Sequence, residues 1–273
     1  MNKFIACISL AIFLSACGQN ESNESAGSPP VPEPAMADAE AVDSSVYANA
    51  VANAARLEGD RDKDATRKPE AVLEFLGIAP GDQVLEMYAG GGYYSELLAH
   101  VVGENGSVVA HNNKPIANFA GDEFAARHAD NRLANVEVLM AENNELTLEA
   151  DQFDAVTLVL NYHDLYWVSE EYGWDQVDVP MFLAELHKSM KPGAVLGVVD
   201  HAAEAGSPAE TGGTLHRIAR DLVIGQVEAA GFALDGESDS LRNTTDDHSK
   251  SVFDPEVRGK TDRFVLRFKK PAA

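Results

Sequence analysis

Residues 84–102 read VLEMYAGGGYYSELLAHVV, and this stretch decides the fold. An apolar strand ends at Glu86, the chain turns through Ala89 to Gly92, and a helix begins near Tyr94. Glycine lets the backbone approach a ligand closely, and a helix N-terminus offers unpaired N–H groups at the positive end of its dipole. In open α/β sheets, ligands bind at this carboxyl edge of the strands. The stretch therefore predicts a strand–turn–helix unit beside a ligand site, although a glycine triplet alone does not identify the ligand.

The chain on either side continues this alternation of strands and helices. Runs such as AVTLVL (155–160) and AVLGVV (194–199) are typical of strands covered on both faces. We predict strands at 83–87, 107–110, 136–140, 155–160, 194–199, 232–238 and 263–268, and helices at 69–76, 94–102, about 119–129, 181–190 and 215–230. Such alternation indicates a doubly wound, mostly parallel α/β sheet in one domain over residues 46–273.

The glycine turn does not match the fingerprint of a dinucleotide site. Counted from Gly90, the third glycine position is Ser95, and His111-Asn112 stand where an acid for the ribose is expected. The pattern therefore argues against a pyrophosphate-containing cofactor.

Five segments, in order, resemble class I S-adenosylmethionine-dependent methyltransferases, and the resemblance extends from Arg56 to the C-terminus. They are VLEMYAGGG (84–92), NVEVLMAENNEL (135–146), FDAVTLVLNYHDL (153–165), FLAELHKSMKPGAVLGVVDHA (182–202), and VEAAGFALDGESD with RFVLRFKKP (227–239 and 263–271). The resemblance implies a Rossmann-like sheet of seven strands, with an antiparallel strand at the C-terminus, and S-adenosyl-L-methionine as the cofactor.

The same resemblance implies which residues hold the cofactor: Glu86, Tyr88, Gly90, Gly91, Gly92, Asn112, Glu142, Asn143 and Asn161. Two of them depart from the family's pattern. Tyr88 stands where the turn usually has its first glycine, so it reshapes or fills the methionine end of the pocket. Asn112 stands where an acid usually holds the ribose hydroxyls. An amide binds a diol without charge assistance, so we expect a lower cofactor affinity.

The predicted catalytic residues lie in the loop after the fourth strand. Methyl transfer requires mainly alignment, with a base only when the acceptor carries a proton. His163 and Asp164 are best placed for this role, with Tyr162, Tyr166 and Trp167 as an aromatic wall around a cationic or planar substrate. The alternative is that His163 caps the strand end and the aromatic residues belong to the core.

Three other polar clusters are expected to have structural roles. Asp200-His201 follow the fifth strand and are expected to pack there, and His216-Arg217 are expected on an exposed helix face. Asp246-Asp247-His248 have the chemistry of cation ligands, but adjacent residues rarely bind one ion together. We expect a solvated loop or salt bridges with Arg258 and Lys260, and we predict no metal site.

The N-terminus predicts export. An apolar run of signal-peptide length, Phe4 to Leu14, ends in LSAC (14–17), which resembles the lipobox of bacterial lipoproteins. The resemblance implies a signal peptide over residues 1–17, with Cys17 lipidated as the mature N-terminus; an ordinary signal peptide is the alternative. Residues 18–45 have almost no large apolar side chains, which predicts a disordered linker. Cys7 would be removed, so the mature domain has no disulfide, thiolate nucleophile or cysteine metal site.

The turn and the segment LRNTTDDHSKSVFDPEVRGKTDRFVLRF (241–268) are similar to those of the exported "predicted methyltransferases" of Gram-negative bacteria. This similarity implies a membrane-anchored lipoprotein facing the periplasm. Gly18, rather than an aspartate, follows Cys17, which slightly favours the outer membrane.

The charge limits the partners. The chain has 44 acidic and 21 basic residues, a formal net charge of -23, which repels nucleic acid and anionic headgroups. We therefore expect membrane contact only through the anchor and no nucleic-acid partner, although a saline habitat would also explain an acidic surface.

Three functional hypotheses remain open from the sequence. The leading hypothesis is methyl transfer to a small or lipid-associated acceptor outside the cytoplasm. The second is a non-catalytic ligand-binding lipoprotein on the same fold, which Tyr88 and Asn112 favour. The third is another reaction that uses His163 and Asp164 as acid and base.

Overall fold

The computed structural model describes residues 42–272. The predicted signal peptide, Cys17 and most of the predicted linker lie outside this range. The α-helices are α1 (Ser45–Ala52), α2 (Arg61–Arg67), α3 (Pro69–Leu76), α4 (Tyr93–Val102), α5 (Lys114–Ala120), α6 (Asp122–His128), α7 (Val179–Ser189), α8 (Thr211–Leu215) and α9 (Arg220–Ala229). The strands are β1 (Gln83–Met87), β2 (Ser107–Asn112), β3 (Val136–Met140), β4 (Phe153–Val159), β5 (Met190–His201), β6 (Ala233–Ser238) and β7 (Arg263–Lys269).

The seven strands form one sheet in the order β3-β2-β1-β4-β5-β7-β6. Strands β1 to β5 run parallel, and β7 lies antiparallel between β5 and β6. This topology confirms the Rossmann-like, mostly parallel sheet with an antiparallel C-terminal strand. The strand order reverses between β1 and β4, so their carboxyl ends border the crevice where such sheets bind ligands.

Helices cover both faces of the sheet because alternate residues of each strand point to opposite sides. On β1, Val84 packs with Leu73 of α3 and Leu97 of α4, whereas Leu85 packs with the cluster that includes Leu183 of α7 and Val223 of α9. Both clusters are almost fully buried. The apolar strands thus form the middle layer of a three-layer core that holds the carboxyl edge rigid.

The bounds of β1, β3 and α3 agree with the prediction, but two predicted helices differ. The helix at 119–129 is divided between α5 and α6, because Gly121 (φ 53°, ψ −133°) leaves the helical conformation. The helix at 215–230 begins only at Arg220, as α9, because α8 ends at Leu215 and His216 then adopts left-handed backbone (φ 54°). β4 ends one residue early, because Leu160 is left-handed too (φ 62°). Within residues 42–272, the helices are too short or too polar for a membrane span.

Candidate active site

The turn after β1 has the conformation that its sequence predicts, with one exception. Gly90 and Gly92 have positive φ values of 59° and 80°, and α4 begins directly after them. A Cβ atom on Gly90 would meet no heavy atom of the described residues within 4 Å, so a ligand can approach the backbone there. A Cβ on Gly91 would collide with the Glu123 carboxylate, and one on Gly92 with the Arg127 side chain. The open face of the turn is therefore at Gly90.

Tyr88 is the exception, since it keeps a left-handed φ of 53° without being glycine. Its hydroxyl donates to Asn143 Oδ1 (2.9 Å), and its ring stacks on Phe182 at 6.1 Å and lies 5.8 Å from Trp174. The Tyr88 side chain is 5% exposed. Burial raises the pKa of its hydroxyl further, so the phenol stays neutral. The turn therefore has a wall where the family's pattern has open space.

Asn112 does not offer free groups to a ribose. Its Oδ1 accepts a hydrogen bond from the Gly90 N–H (2.9 Å), and its Nδ2 donates to the Gly90 carbonyl (3.2 Å). The side chain is fully buried. Glu142, predicted on the adenine side, accepts a hydrogen bond from the Lys114 N–H at 3.2 Å, and its side chain is exposed. The ribose position is thus occupied by an amide that ties the glycine turn to the end of β2.

Glu86 lies below the turn, away from the open face. It is buried and accepts a hydrogen bond from the Ser95 hydroxyl of α4. Burial raises the pKa of this carboxyl to about 8, since the Ser95 hydrogen bond and the nearby Arg127 offset only part of the desolvation. Glu86 is therefore protonated at neutral pH.

Asn161, at the end of β4, joins the two strands of the crevice. Its Nδ2 donates to the Met87 carbonyl at 3.0 Å. Its Oδ1 is buried and has no hydrogen-bond partner among the described residues. A buried acceptor without a partner is costly, so a donor from a bound ligand would stabilise it.

His163 and Asp164, the predicted catalytic residues, are adjacent to a third carboxylate. His163 is buried, and its Nδ1 lies 2.7 Å from Asp200 Oδ1, while its Nε2 lies 3.3 Å from Asp164 Oδ1. The second oxygen of Asp200 accepts the His163 N–H at 2.8 Å. Burial alone would lower the pKa of His163, but the two carboxylates outweigh it and raise the pKa to about 9. Asp200 therefore orients His163, in addition to the packing role predicted for it.

The expectation that His216-Arg217 lie on an exposed helix face is wrong. His216 Nδ1 lies 3.3 Å from Asp164 Oδ1, which brings it into the site. Arg217 is fully buried and binds Asp246 through both terminal nitrogens (2.9 and 3.1 Å). This pair also corrects the predicted salt bridges of the 246–248 loop, whose partners are Arg217 and, for His248, Asp262 rather than Arg258 and Lys260.

A cavity of about 450 Å³ opens beside these residues. Trp167 belongs to its wall, as predicted, but Tyr162 and Tyr166 instead contact Gln226 through their hydroxyls. The other residues of the wall are Ile116, Phe119, Leu160, His163, Asp164, Tyr172, Trp174, His201, His216, Val252 and Phe253. Most of this surface is aromatic or aliphatic, and the few polar groups converge on one end.

Known proteins resemble this chain in sequence and in fold. A family model described as Protein-L-isoaspartate(D-aspartate) O-methyltransferase matches residues 40–158. A 2-phytyl-1,4-naphtoquinone methyltransferase from Synechococcus elongatus is 32% identical over 130 residues, 47% of this chain and 49% of that protein. A solved SAM-dependent methyltransferase from Aquifex aeolicus is 22% identical, covers 77% of this chain and 98% of its own, and superposes with a TM-score of 0.53. The chain thus shares the fold of a SAM-dependent methyltransferase, and it is similar in sequence to methyltransferases over about half of its length.

A further relative is the ubiquinone/menaquinone biosynthesis C-methyltransferase of Teredinibacter turnerae, 27% identical over 129 residues, 47% of this chain and 46% of that protein. The chain thus spans about half the length of the curated relatives it matches. S-adenosylmethionine is the cofactor of methyltransferases with this fold, and the residues of the crevice fit it at the methionine end. Gly90 leaves room for close approach, and Asn161 Oδ1 is an acceptor that needs a donor such as the cofactor's ammonium group. At the ribose end, residue 112 is a neutral amide that is hydrogen-bonded to Gly90.

Proposed function

We propose that this protein is an S-adenosylmethionine-dependent methyltransferase whose acceptor carries a flat, apolar ring, and that it acts outside the cytoplasm, anchored through Cys17. The observation that supports it most is the junction of two sites at one sheet edge. The Tyr88 ring contacts Trp174, which lines the aromatic cavity, so the glycine turn and the cavity share a wall. A methyl donor at Gly90 and an acceptor in the cavity would then be neighbours.

The residues of the crevice have distinct parts in this proposal. Gly90 and Asn161 would hold the methionine end of the cofactor, and Asn112, Glu142 and Asn143 line the side where its nucleoside belongs. When bound, the cofactor supplies a methyl group on a positively charged sulfur. Tyr88 lies beside the junction of the two sites, where its buried ring contacts Trp174 and excludes water.

The cavity argues for the class of acceptor. Its aromatic side chains, Trp167, Tyr172 and Trp174 among them, favour a planar ring through stacking and burial. His163, Asp164 and His216 form its polar end, where the reacting group of the ring would be oriented. The two curated relatives are named for naphthoquinone and for ubiquinone and menaquinone, which are rings of this kind. A quinone-type acceptor also suits a protein held at a membrane, where such lipids reside.

Titration calorimetry tests the cofactor. We expect S-adenosylmethionine and S-adenosylhomocysteine each to bind the full chain, in mild detergent, with a stoichiometry of one. Gly90→Arg should abolish binding, because the long side chain enters the open space at the turn. Gly77→Arg is the matched control, since Gly77 also has a positive φ (73°) and open surroundings but lies at the end of α3. A folded wild-type sample that binds neither ligand would refute the proposal.

Transfer of a labelled methyl group to the reduced, hydroquinone form of quinone-type acceptors tests the reaction, because only that form carries the electron-rich ring and hydroxyl groups that accept a methyl group. His163→Ala should lose turnover and keep cofactor binding, because His163 lies on the acceptor side of Tyr88. Cofactor binding without transfer to any planar ring would contradict the acceptor class. It would favour a ligand-binding protein, for which the internal hydrogen bonds of Tyr88 and Asn112 are a specific argument.

A further inference from the structure

Three side chains at the polar end of the cavity have the arrangement of metal ligands. His163, Asp164 and His216 each offer one nitrogen or oxygen atom, and all three atoms lie within 4.8 Å of one another. Asp164 Oδ1 lies 3.3 Å from both His163 Nε2 and His216 Nδ1. Two ligands at about 2.0–2.1 Å from a tetrahedral ion would be separated by about 3.3–3.4 Å. The distances from Asp164 Oδ1 to the two histidine nitrogens therefore match the ligand-to-ligand distances of a tetrahedral site.

The orientation of His163 is a second, independent observation. Its Nδ1 is held by Asp200 at 2.7 Å, which directs Nε2 toward Asp164. Metal-binding histidines almost always donate their second ring N–H to a carboxylate or carbonyl in this way, which fixes the tautomer and raises the basicity of the ligand. Asp200 is completely buried and also accepts two backbone N–H groups, from His163 and His201, so its position is fixed.

The backbone at His216 is strained in the conformation that places its imidazole beside Asp164. His216 has a left-handed φ of 54°, an unfavourable conformation for a non-glycine residue. Helix α8 lies so close to the 163–166 helix that a Cβ on Gly212 would be 2.5 Å from the His163 carbonyl oxygen, and one on Gly213 would be 2.6 Å from that of Tyr166. Only glycine allows this approach. Strained backbone held in place by its surroundings is typical of functional sites.

We propose that His163 Nε2, His216 Nδ1 and the Asp164 carboxylate bind a divalent transition-metal ion of the zinc type, with its fourth position open to the aromatic cavity. Two imidazoles and one carboxylate suit such ions, and a site with three protein ligands and an open position is typical of catalytic rather than structural metals. Ion binding itself is independent of the proposed function; only its catalytic role rests on it.

That role follows from the open position. An acceptor hydroxyl oxygen bound there would be polarised by the ion, so that its proton leaves to solvent. Its electron pair would then form the new oxygen–methyl bond as the sulfur–methyl bond of the cofactor breaks, and neutral S-adenosylhomocysteine would leave. The ion would thus do what a general base does for other acceptors, and it would also fix the ring against Trp167 and Phe253.

Cobalt(II) titration of the metal-free full chain tests the site without cofactor or acceptor. We expect one ion per chain, the intense visible absorption of tetrahedral Co²⁺, and displacement by one equivalent of Zn²⁺. Asp200→Asn should lower the Co²⁺ affinity about 10- to 100-fold, because Asp200 orients the ligand His163. His216→Gly removes a ligand itself, so it should lower the affinity by more than about 100-fold. Glycine keeps the left-handed backbone of residue 216.

His248→Gly is the matched control. His248 is also left-handed (φ 63°) and also faces a carboxylate, that of Asp262, but it lies outside the cavity. It should bind Co²⁺ as wild type does. If His216→Gly alters the circular dichroism spectrum, His163→Gln is the second variant. A wild-type chain without the absorption band, or equal Co²⁺ affinity in wild type and a folded ligand variant, would overturn the site. Because cofactor binding is measured separately, such a failure would leave the methyltransferase proposal intact.

Discussion

The buried carboxyl of Glu86 makes the stability of this protein depend on pH in a direction opposite to that of most acids. Its pKa is about 8 in the folded protein, above the ordinary value of 4.5, because burial penalises the charged form. As pH rises above 4.5 the unfolded chain loses this proton, whereas the folded protein keeps it until about pH 8. The contribution of Glu86 to stability is therefore complete below pH 4.5 and is lost progressively as pH rises toward 8.

Glu86→Gln isolates this effect, because glutamine has the same shape, can still accept the Ser95 hydrogen bond and cannot ionise. Each pH unit between the two pKa values is worth about 1.4 kcal/mol, so we expect the variant to be more stable than wild type by on the order of 3 kcal/mol at pH 7. At pH 4.5 the two should differ by less than about 1 kcal/mol.

Urea unfolding of both proteins at several pH values between 4.5 and 8 measures this difference. Other titrating groups, such as His163, contribute equally to both proteins and cancel. Glu70→Gln, on the exposed side of α3, is the control for a simple loss of charge. A difference between Glu86→Gln and wild type that stays constant across this pH range would refute the reasoning.

Three further predictions concern the glycine turn. Asn112→Asp should raise S-adenosylmethionine affinity several-fold in calorimetry, because one carboxylate oxygen can keep the Gly90 N–H while the other accepts a ribose hydroxyl with charge assistance; unchanged or weaker binding would contradict it. Arg127→Met should lower the free energy of unfolding by about 3 kcal/mol in urea denaturation, since buried Asp60 and Glu96 each lose a buried partner and keep only the more exposed Lys63 and Arg132; a loss under 1 kcal/mol would argue against that network. Tyr88→Gly should lower the free energy of unfolding by about 2–4 kcal/mol, because the loss of the aromatic ring outweighs the relief of left-handed strain, yet the variant should bind the cofactor more tightly. Tyr88→Phe, which lacks only the hydroxyl, should lower the free energy of unfolding by about 1 kcal/mol and leave cofactor binding unchanged.

The fold could be predicted because each strand and helix is marked by residues that are close together in the sequence. Strands such as β1 and β3 are short apolar runs between turn residues, and Pro69 and Gly77 mark the ends of α3. The break at Gly121 and the late start of α9 were missed for a physical reason. A left-handed residue such as Gly121 or His216 changes no pattern of apolar side chains, so the helical periodicity gives no sign of it.

The candidate site could be predicted only where its residues are neighbours in sequence. His163 and Asp164 follow a buried strand, so their position at the carboxyl edge of the sheet could be predicted from the sequence. His216 joins them from 53 positions beyond His163, through contacts that depend on Gly212 and Gly213. Two glycines within a five-residue helix are the one signal that could have suggested this approach, since glycine is otherwise unfavourable there. Arg217 was missed in the same way, because burial of a charge becomes plausible only once its partner, Asp246, is known.

Tyr88 is the residue at which sequence and structure have to be read together. The sequence shows that a glycine position holds tyrosine, and the structure shows that the backbone has kept the glycine conformation, which costs a tyrosine about 1–2 kcal/mol. Stacking on Phe182, contact with Trp174 and the hydrogen bond to Asn143 exceed that cost. Glycine would fit the turn without strain, so the contacts of the ring account for the tyrosine. Those contacts join the glycine turn to Trp174 in the wall of the aromatic cavity, so removal of the ring would open space between the turn and Trp174.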